Sequence, residues 1–102
     1  MGLVIKHRAG NGAAIVNSQE NTALEIIVLS IHRTESERMA ELQIRGTMRG
    51  EVIKQDPFYL RIGEIYRLGN IKISIAKNPH GRKGVRIIYE APKRYAILRF
   101  RN

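Results

Sequence analysis

The sequence contains no cysteine. This absence excludes disulfides, cysteine-ligated zinc sites and a thiol nucleophile, and it is typical of a protein from a reducing compartment. No apolar run approaches the roughly 18 residues that a membrane span needs. The first residues also lack the basic and apolar layout of a signal peptide. We therefore expect a cytoplasmic protein without a membrane partner.

Catalytic and metal-binding motifs are lacking as well. The three histidines, His7, His32 and His80, are scattered along the chain. The sequence has no phosphate-binding loop, no His-x-x-x-His spacing and no recognisable serine, histidine and aspartate order. We therefore expect neither an enzyme nor a bound metal or other cofactor.

Acidic residues are scarce in the second half of the chain. The formal net charge is +9 at pH 7. Residues 1–56 hold seven Lys/Arg and seven Asp/Glu, whereas residues 57–102 hold eleven Lys/Arg and two Asp/Glu. A concentrated basic surface attracts polyanions through counterion release, so this distribution favours nucleic-acid binding. The alternative is a solvated face that only maintains solubility.

Helix signals are weak, and apolar alternation dominates. One helix is predicted near 34–41, where Thr34 and Glu37 fit a capping box, with a charged loop as the alternative. Gly46 is expected to end a strand. The hydrophobic content of 43% allows a modest core. Strands are predicted from apolar alternation and β-branched residues at 3–5, 13–16, 23–31, 42–45, 51–54, 58–61, 65–68, 71–75, 85–89 and 95–100.

Residues 60–99 carry a recognisable order of short motifs. Arg61 precedes Gly63-Glu64, and Val85-Arg86-Ile87 precedes Ala91-Pro92-Lys93 and a last strand that reaches Arg99. This order resembles the carbon storage regulator family (CsrA/RsmA), small bacterial proteins that bind messenger RNA. The chain departs from the family at Leu98, where the family has histidine.

The first half resembles a second, diverged copy of the same unit. When Gly10 is set against Gly63, Arg8 falls on Arg61. The interpretation is a diverged repeat at 1–56 and a better-preserved repeat at 57–102, together forming one intertwined domain. The resemblance implies a mainly β fold, in which two fused five-stranded units form antiparallel sheets packed as a pseudo-dimer.

In the family, each RNA site combines the first strand of one unit with the last strand of the other. The resemblance therefore implies one basic site and a weaker or decayed second site. The second site would join Arg61 to Val52 and Lys54, beside an unfavourable Asp56. The first site is expected to contain Lys6, His7, Arg8, Ile97, Leu98, Arg99 and Arg101.

In the family arrangement, the last strand of one unit and the first strand of the other lie parallel and side by side. Here these would be the strands at 51–54 and 58–61, and the link at 55–57 has only three residues, which is short for a crossover between parallel neighbours. Either one long bent strand passes between the sheets, or the chain pairs with another copy of itself. A monomeric pseudo-dimer and a homodimer therefore both stay open. Tyr89 and Tyr95 are candidates for stacking on bases, although core packing is the favoured interpretation.

The leading functional hypothesis is a translational regulator that binds GGA-type motifs in single-stranded or hairpin-loop RNA. Unpaired loop bases expose edges that strands and arginine can recognise. One alternative is a protein-interaction module or inhibitor from a mobile element on the same fold. Another is a non-specific nucleic-acid binder that uses the basic half alone.

Overall fold

A computed structural model describes residues 2–33, 38–77 and 84–100, and these form ten strands and one 3₁₀ turn. The mainly β prediction is confirmed, and the predicted strands are present with small differences in their ends. The turn is Ser18–Glu20. The strands are β1 Gly2–His7, β2 Gly12–Asn17, β3 Thr22–Arg33, β4 Arg38–Met48, β5 Glu51–Lys54, β6 Phe58–Arg61, β7 Ile65–Leu68, β8 Ile71–Ala76, β9 Val85–Glu90 and β10 Ala96–Phe100.

The helix predicted near 34–41 is wrong over residues 38–41, which belong to β4. The proposed capping box at 34–37 lies outside the described residues. In β4, Ala40, Leu42 and Ile44 alternate on one buried face. That two-residue period fits a strand paired with β3, and the burial it allows outweighs the local preference for a helix turn.

The strands form two antiparallel sheets. The four-stranded sheet has the order β1-β9-β8-β7. The six-stranded sheet has the order β10-β2-β3-β4-β5, and β6 also pairs with β4. Each sheet therefore contains strands from both halves of the chain. One sheet combines β1 with β7, β8 and β9, and the other combines β6 and β10 with β2, β3, β4 and β5. The boundary between repeats at residue 56 stays a prediction.

The core consists of the inward faces of these strands. In the four-stranded sheet, Ile5 lies opposite Ile87, which lies opposite Ile75 on its other side. All three are buried, and burying an isoleucine contributes about 1.5–3 kcal/mol. Tyr89 and Tyr95 are also buried, so the core interpretation of both tyrosines is confirmed.

Gly46 does not end a strand, contrary to the prediction. It lies inside β4 with a φ of +133°. A Cβ atom at this position would lie 2.1 Å from the carbonyl oxygen of Ala23 on β3. The glycine is therefore needed because the backbones of two paired strands approach each other closely here.

Candidate nucleic-acid interface

A basic groove lies where the two sheets expose their edges. β1 is an edge strand of the four-stranded sheet, and β10 is an edge strand of the six-stranded sheet. The groove has a volume of about 540 Å³ and is lined by Lys6, Arg8, Asn11 and Arg99. The structure thus brings together three of the predicted site residues, which come from opposite ends of the chain.

Two cations at the end of β1 are exposed to solvent. Ile5 and His7 point into the core, so Lys6 between them points outward, and Arg8, which directly follows the strand, is also exposed. On β10, Arg99 lies opposite Ala13 and is also exposed. Among the described residues, the groove therefore presents three cationic side chains and no carboxylate in its lining, an arrangement suited to binding phosphate groups.

The turn between β1 and β2 is held against β3 by backbone hydrogen bonds. The Gly10 amide donates to the Val28 carbonyl at 2.7 Å, and the Val28 amide donates to the Asn11 carbonyl at 2.9 Å. The Asn11 amide also donates to the Arg8 carbonyl at 3.0 Å. These bonds fix the positions of Arg8 and Asn11 before any ligand arrives. Sequence reasoning missed Asn11, although its position between Gly10 and Gly12, a pattern typical of a turn, close to Arg8 was a usable signal.

His7 does not belong to the groove surface, contrary to the prediction. Its side chain is only 1% exposed and its Nε2 lies 2.7 Å from the Tyr89 hydroxyl oxygen. The two rings meet edge to face, with centroids 5.8 Å apart. Because the imidazole faces the core, it cannot read an RNA base. Its contribution is to anchor β1 between the two exposed cations.

Burial also determines the charge of His7. Desolvation, reinforced by the nearby Arg99 guanidinium, lowers the pKa of His7 from 6.5 to about 4. The imidazole is therefore neutral at physiological pH. Desolvation raises the pKa of the Tyr89 hydroxyl far above its usual value of 10, so this partner is also uncharged. The buried Nδ1 of His7 has no hydrogen-bond partner among the described residues.

The remaining predicted residues of the first site have different environments. Ile97 lies opposite Ile15, is partly buried and packs against the core, and its part in RNA binding stays a prediction. Leu98 points to the other face of β10 and is 56% exposed. Arg101 lies outside the described residues.

The predicted second composite site does not form. β5 and β6 run one after the other along the same edge of β4, in the same sheet. Lys54 faces Arg45, whereas Arg61 faces Met39. These positions are about 20 Å apart along β4 at ~3.3 Å per residue. Val52 lies farther still from Arg61 and is 83% exposed, so the three residues cannot contact one ligand group together.

Further cations lie on the outward face of the four-stranded sheet. Lys6 lies directly opposite Arg86 on the outward face of β1 and β9. Arg67 lies opposite Lys72, whose other neighbour is Glu90. Like charges placed opposite each other on paired strands destabilise a sheet, so a bound polyanion would relieve this repulsion.

Across residues 2–33, 38–77 and 84–100, no three His, Cys, Asp or Glu side chains are grouped closely enough to hold a metal ion. In that described part, no helix has the length and apolar character required to cross a membrane. Comparisons with protein-family models, with curated proteins and with solved structures find no match to this chain.

Proposed function

We propose that this protein is a cytoplasmic RNA-binding regulator of translation, which recognises a GGA-type element through the basic groove. It would act on messenger RNA in the manner of the carbon storage regulator family. The observation that carries the proposal is the meeting of Arg8 and Arg99 in one groove, although they lie at opposite ends of the chain.

The sheet topology supports the proposed family relationship. Strands β2, β3 and β4 of the first half are flanked by β6 and β10, the first and last strands of the second half. Strands β7, β8 and β9 are flanked on one side by β1, the first strand of the first half. This reciprocal exchange is the arrangement expected for two fused units of the family.

The chemistry of the groove suits an unpaired guanine. Its O6 and N7 atoms accept the forked N–H donors of arginine, and either Arg8 or Arg99 can supply them. Lys6 provides a mobile cation for phosphate. The outer edges of β1 and β10 also end their sheets, so backbone groups along them can bond to base edges of single-stranded RNA.

The proposal is tested by gel shift with an RNA hairpin that carries GGA in its loop and a matched hairpin that carries CCA. We expect clear preference for GGA. Arg99→Ala should weaken binding by about 5- to 100-fold, the equivalent of ~1–3 kcal/mol for a bidentate base contact. Arg45→Ala removes an exposed arginine that is neither in the groove nor beside it, and serves as the control. Equal affinity for both hairpins would refute sequence-specific recognition.

Non-specific binding to nucleic acid is the second candidate function. It is favoured by the cations of the four-stranded sheet, Lys6, Arg86, Lys72 and Arg67, which are not arranged around one base. In that case affinity would fall steeply with salt for RNA of any sequence, and the Arg86→Ala and Arg99→Ala variants would lose similar amounts. Selective loss in Arg99→Ala would favour the groove.

A further inference from the structure

An exposed pair of aromatic rings lies on the outward face of the six-stranded sheet, away from the groove. We call His32 of β3 and Tyr59 of β6 the aromatic platform. Their ring centroids are 5.5 Å apart at an interplanar angle of 65°. Tyr59 is 51% exposed, and His32 is also exposed. Aromatic faces left in solvent are unusual in a chain whose other described tyrosines, at 66, 89 and 95, are wholly or partly buried.

The platform is built by strand alternation. Within β6, Leu60 is buried and Phe58 packs against the core, so Tyr59 and Arg61 point outward. Arg61 lies opposite Met39, which lies opposite His32 on its other side. The exposed side chain of Arg61 therefore stands on the same face as the two rings, in the same row as His32 and one row from Tyr59.

Hydrogen bonds hold one ring of the platform in place. The Ser30 hydroxyl donates to Glu41 Oε1 at 3.1 Å and lies 3.1 Å from His32 Nε2. Because the hydroxyl proton is directed to the carboxylate, Nε2–H of His32 is the donor to Ser30. The carboxylate of Glu41 is thus engaged with Ser30, and the imidazole is oriented before a ligand binds.

We propose that the aromatic platform stacks an unpaired nucleobase of the bound RNA, and that Arg61 contacts the adjacent phosphate. The proposal rests on RNA being the ligand of the protein. Every base has a π-face, so such stacking tolerates any sequence and supplements a specific site elsewhere. A ring pair beside a cation fits a base and its phosphate better than an apolar protein surface.

The platform lies within reach of RNA that leaves the groove. The Asn11 carbonyl in the groove turn accepts a hydrogen bond from Val28. His32 is four residues farther along β3, or about 13 Å at ~3.3 Å per residue. Single-stranded RNA flanking a loop or stem that occupies the groove can therefore extend along β3 to the two rings.

The test compares GGA hairpins with and without a single-stranded oligoadenosine tail, placed at the 5′ end in one RNA and at the 3′ end in another. One tailed RNA should bind the wild-type protein at least about 5-fold more tightly than the tailless hairpin. Tyr59→Ala should abolish that gain, whereas Tyr59→Phe should retain it because stacking requires the ring and not the hydroxyl. Val52→Ala, at an exposed site on the same sheet, is the matched control.

Two results would overturn the platform. In the first, the tailed RNA that binds wild type more tightly than the tailless hairpin binds Tyr59→Ala just as tightly as wild type. In the second, Tyr59→Ala weakens binding of the tailed and the tailless hairpins to the same extent. Failure of the proposed function is distinguishable, because it appears as equal affinity of the wild-type protein for GGA and CCA hairpins. In that event, binding of free oligoadenosine still tests the platform. Tyr59→Ala should bind oligoadenosine more weakly than Tyr59→Phe, and equal binding by the two variants would refute stacking.

Discussion

The buried imidazole of His7 should make the stability of the fold depend on pH between about 6.5 and 4. In the folded protein the pKa of His7 is about 4, and its ordinary value is 6.5. Below pH 6.5 the unfolded chain binds a proton that the folded chain rejects. The free energy of unfolding should therefore fall with pH from 6.5 down to 4, and this contribution should stop changing below 4.

The size of the effect follows from the shift. Each unit of difference in pKa is worth about 1.4 kcal/mol, so His7 alone should remove about 3 kcal/mol of stability between neutral pH and pH 4. At pH 4.5 most of that loss, about 2–3 kcal/mol, should already be present. A loss of this size is a large part of the total stability of a domain of about 100 residues.

The assay is urea denaturation followed by circular dichroism at pH 7 and pH 4.5, with wild type compared with His7→Gln. Glutamine keeps a polar group beside the Tyr89 hydroxyl but does not titrate, so the variant should lose about 2–3 kcal/mol less stability on acidification. His32→Gln removes an exposed imidazole and should behave as wild type. The same loss in wild type and His7→Gln would refute the assignment of the pH dependence to the buried ring.

Three further predictions follow from the fold and the groove. Gly46→Ala should cost about 2–4 kcal/mol because of its close backbone contact, whereas Gly50→Ala, at a positive φ in open space, should cost about 1–2 kcal/mol; chemical denaturation measures both. Lys6→Ala should raise the free energy of unfolding by about 0.2–1 kcal/mol, because it relieves repulsion from Arg86. The same variant should bind RNA more weakly. The slope of its log affinity against log salt concentration should be shallower by ~0.7 if Lys6 neutralises one phosphate. Light scattering should give a monomer of 11.6 kDa, since one chain supplies the whole groove, and twice that mass would contradict this.

The strands were predictable because the sequence alternates with the period of a half-buried strand. In β8, Ile71, Ile73 and Ile75 are buried while Lys72 is exposed, as the alternation of apolar and polar residues predicts. The same alternation is present in the β4 residues where a helix is predicted from a capping signal, which reports only local preference. Burial along a paired strand outweighed that local signal.

The groove was only partly predictable from the sequence. Lys6, Arg8 and Arg99 were identified through resemblance to a family, since nothing local links residues so distant in the chain. The same resemblance placed the buried His7 on the RNA side, because a motif specifies positions and not the direction of each side chain. Strand alternation gives that direction once the buried neighbour, Ile5, is known. His7 then must point inward.

The inequality of the two expected sites follows from the connection between the halves of the chain. Only residues 55–57 separate β5 from β6, and a crossover between parallel neighbours needs about a dozen residues or more. The two strands therefore follow each other along β4, and β5 never reaches the outer edge of β7, which stays at the end of the four-stranded sheet. β1 and β10 carry no such constraint, because the whole chain lies between them. The strands at the two distant ends of the chain, β1 and β10, therefore both contribute to the groove, whereas β5 and β6, beside the short link, lie in one sheet along β4.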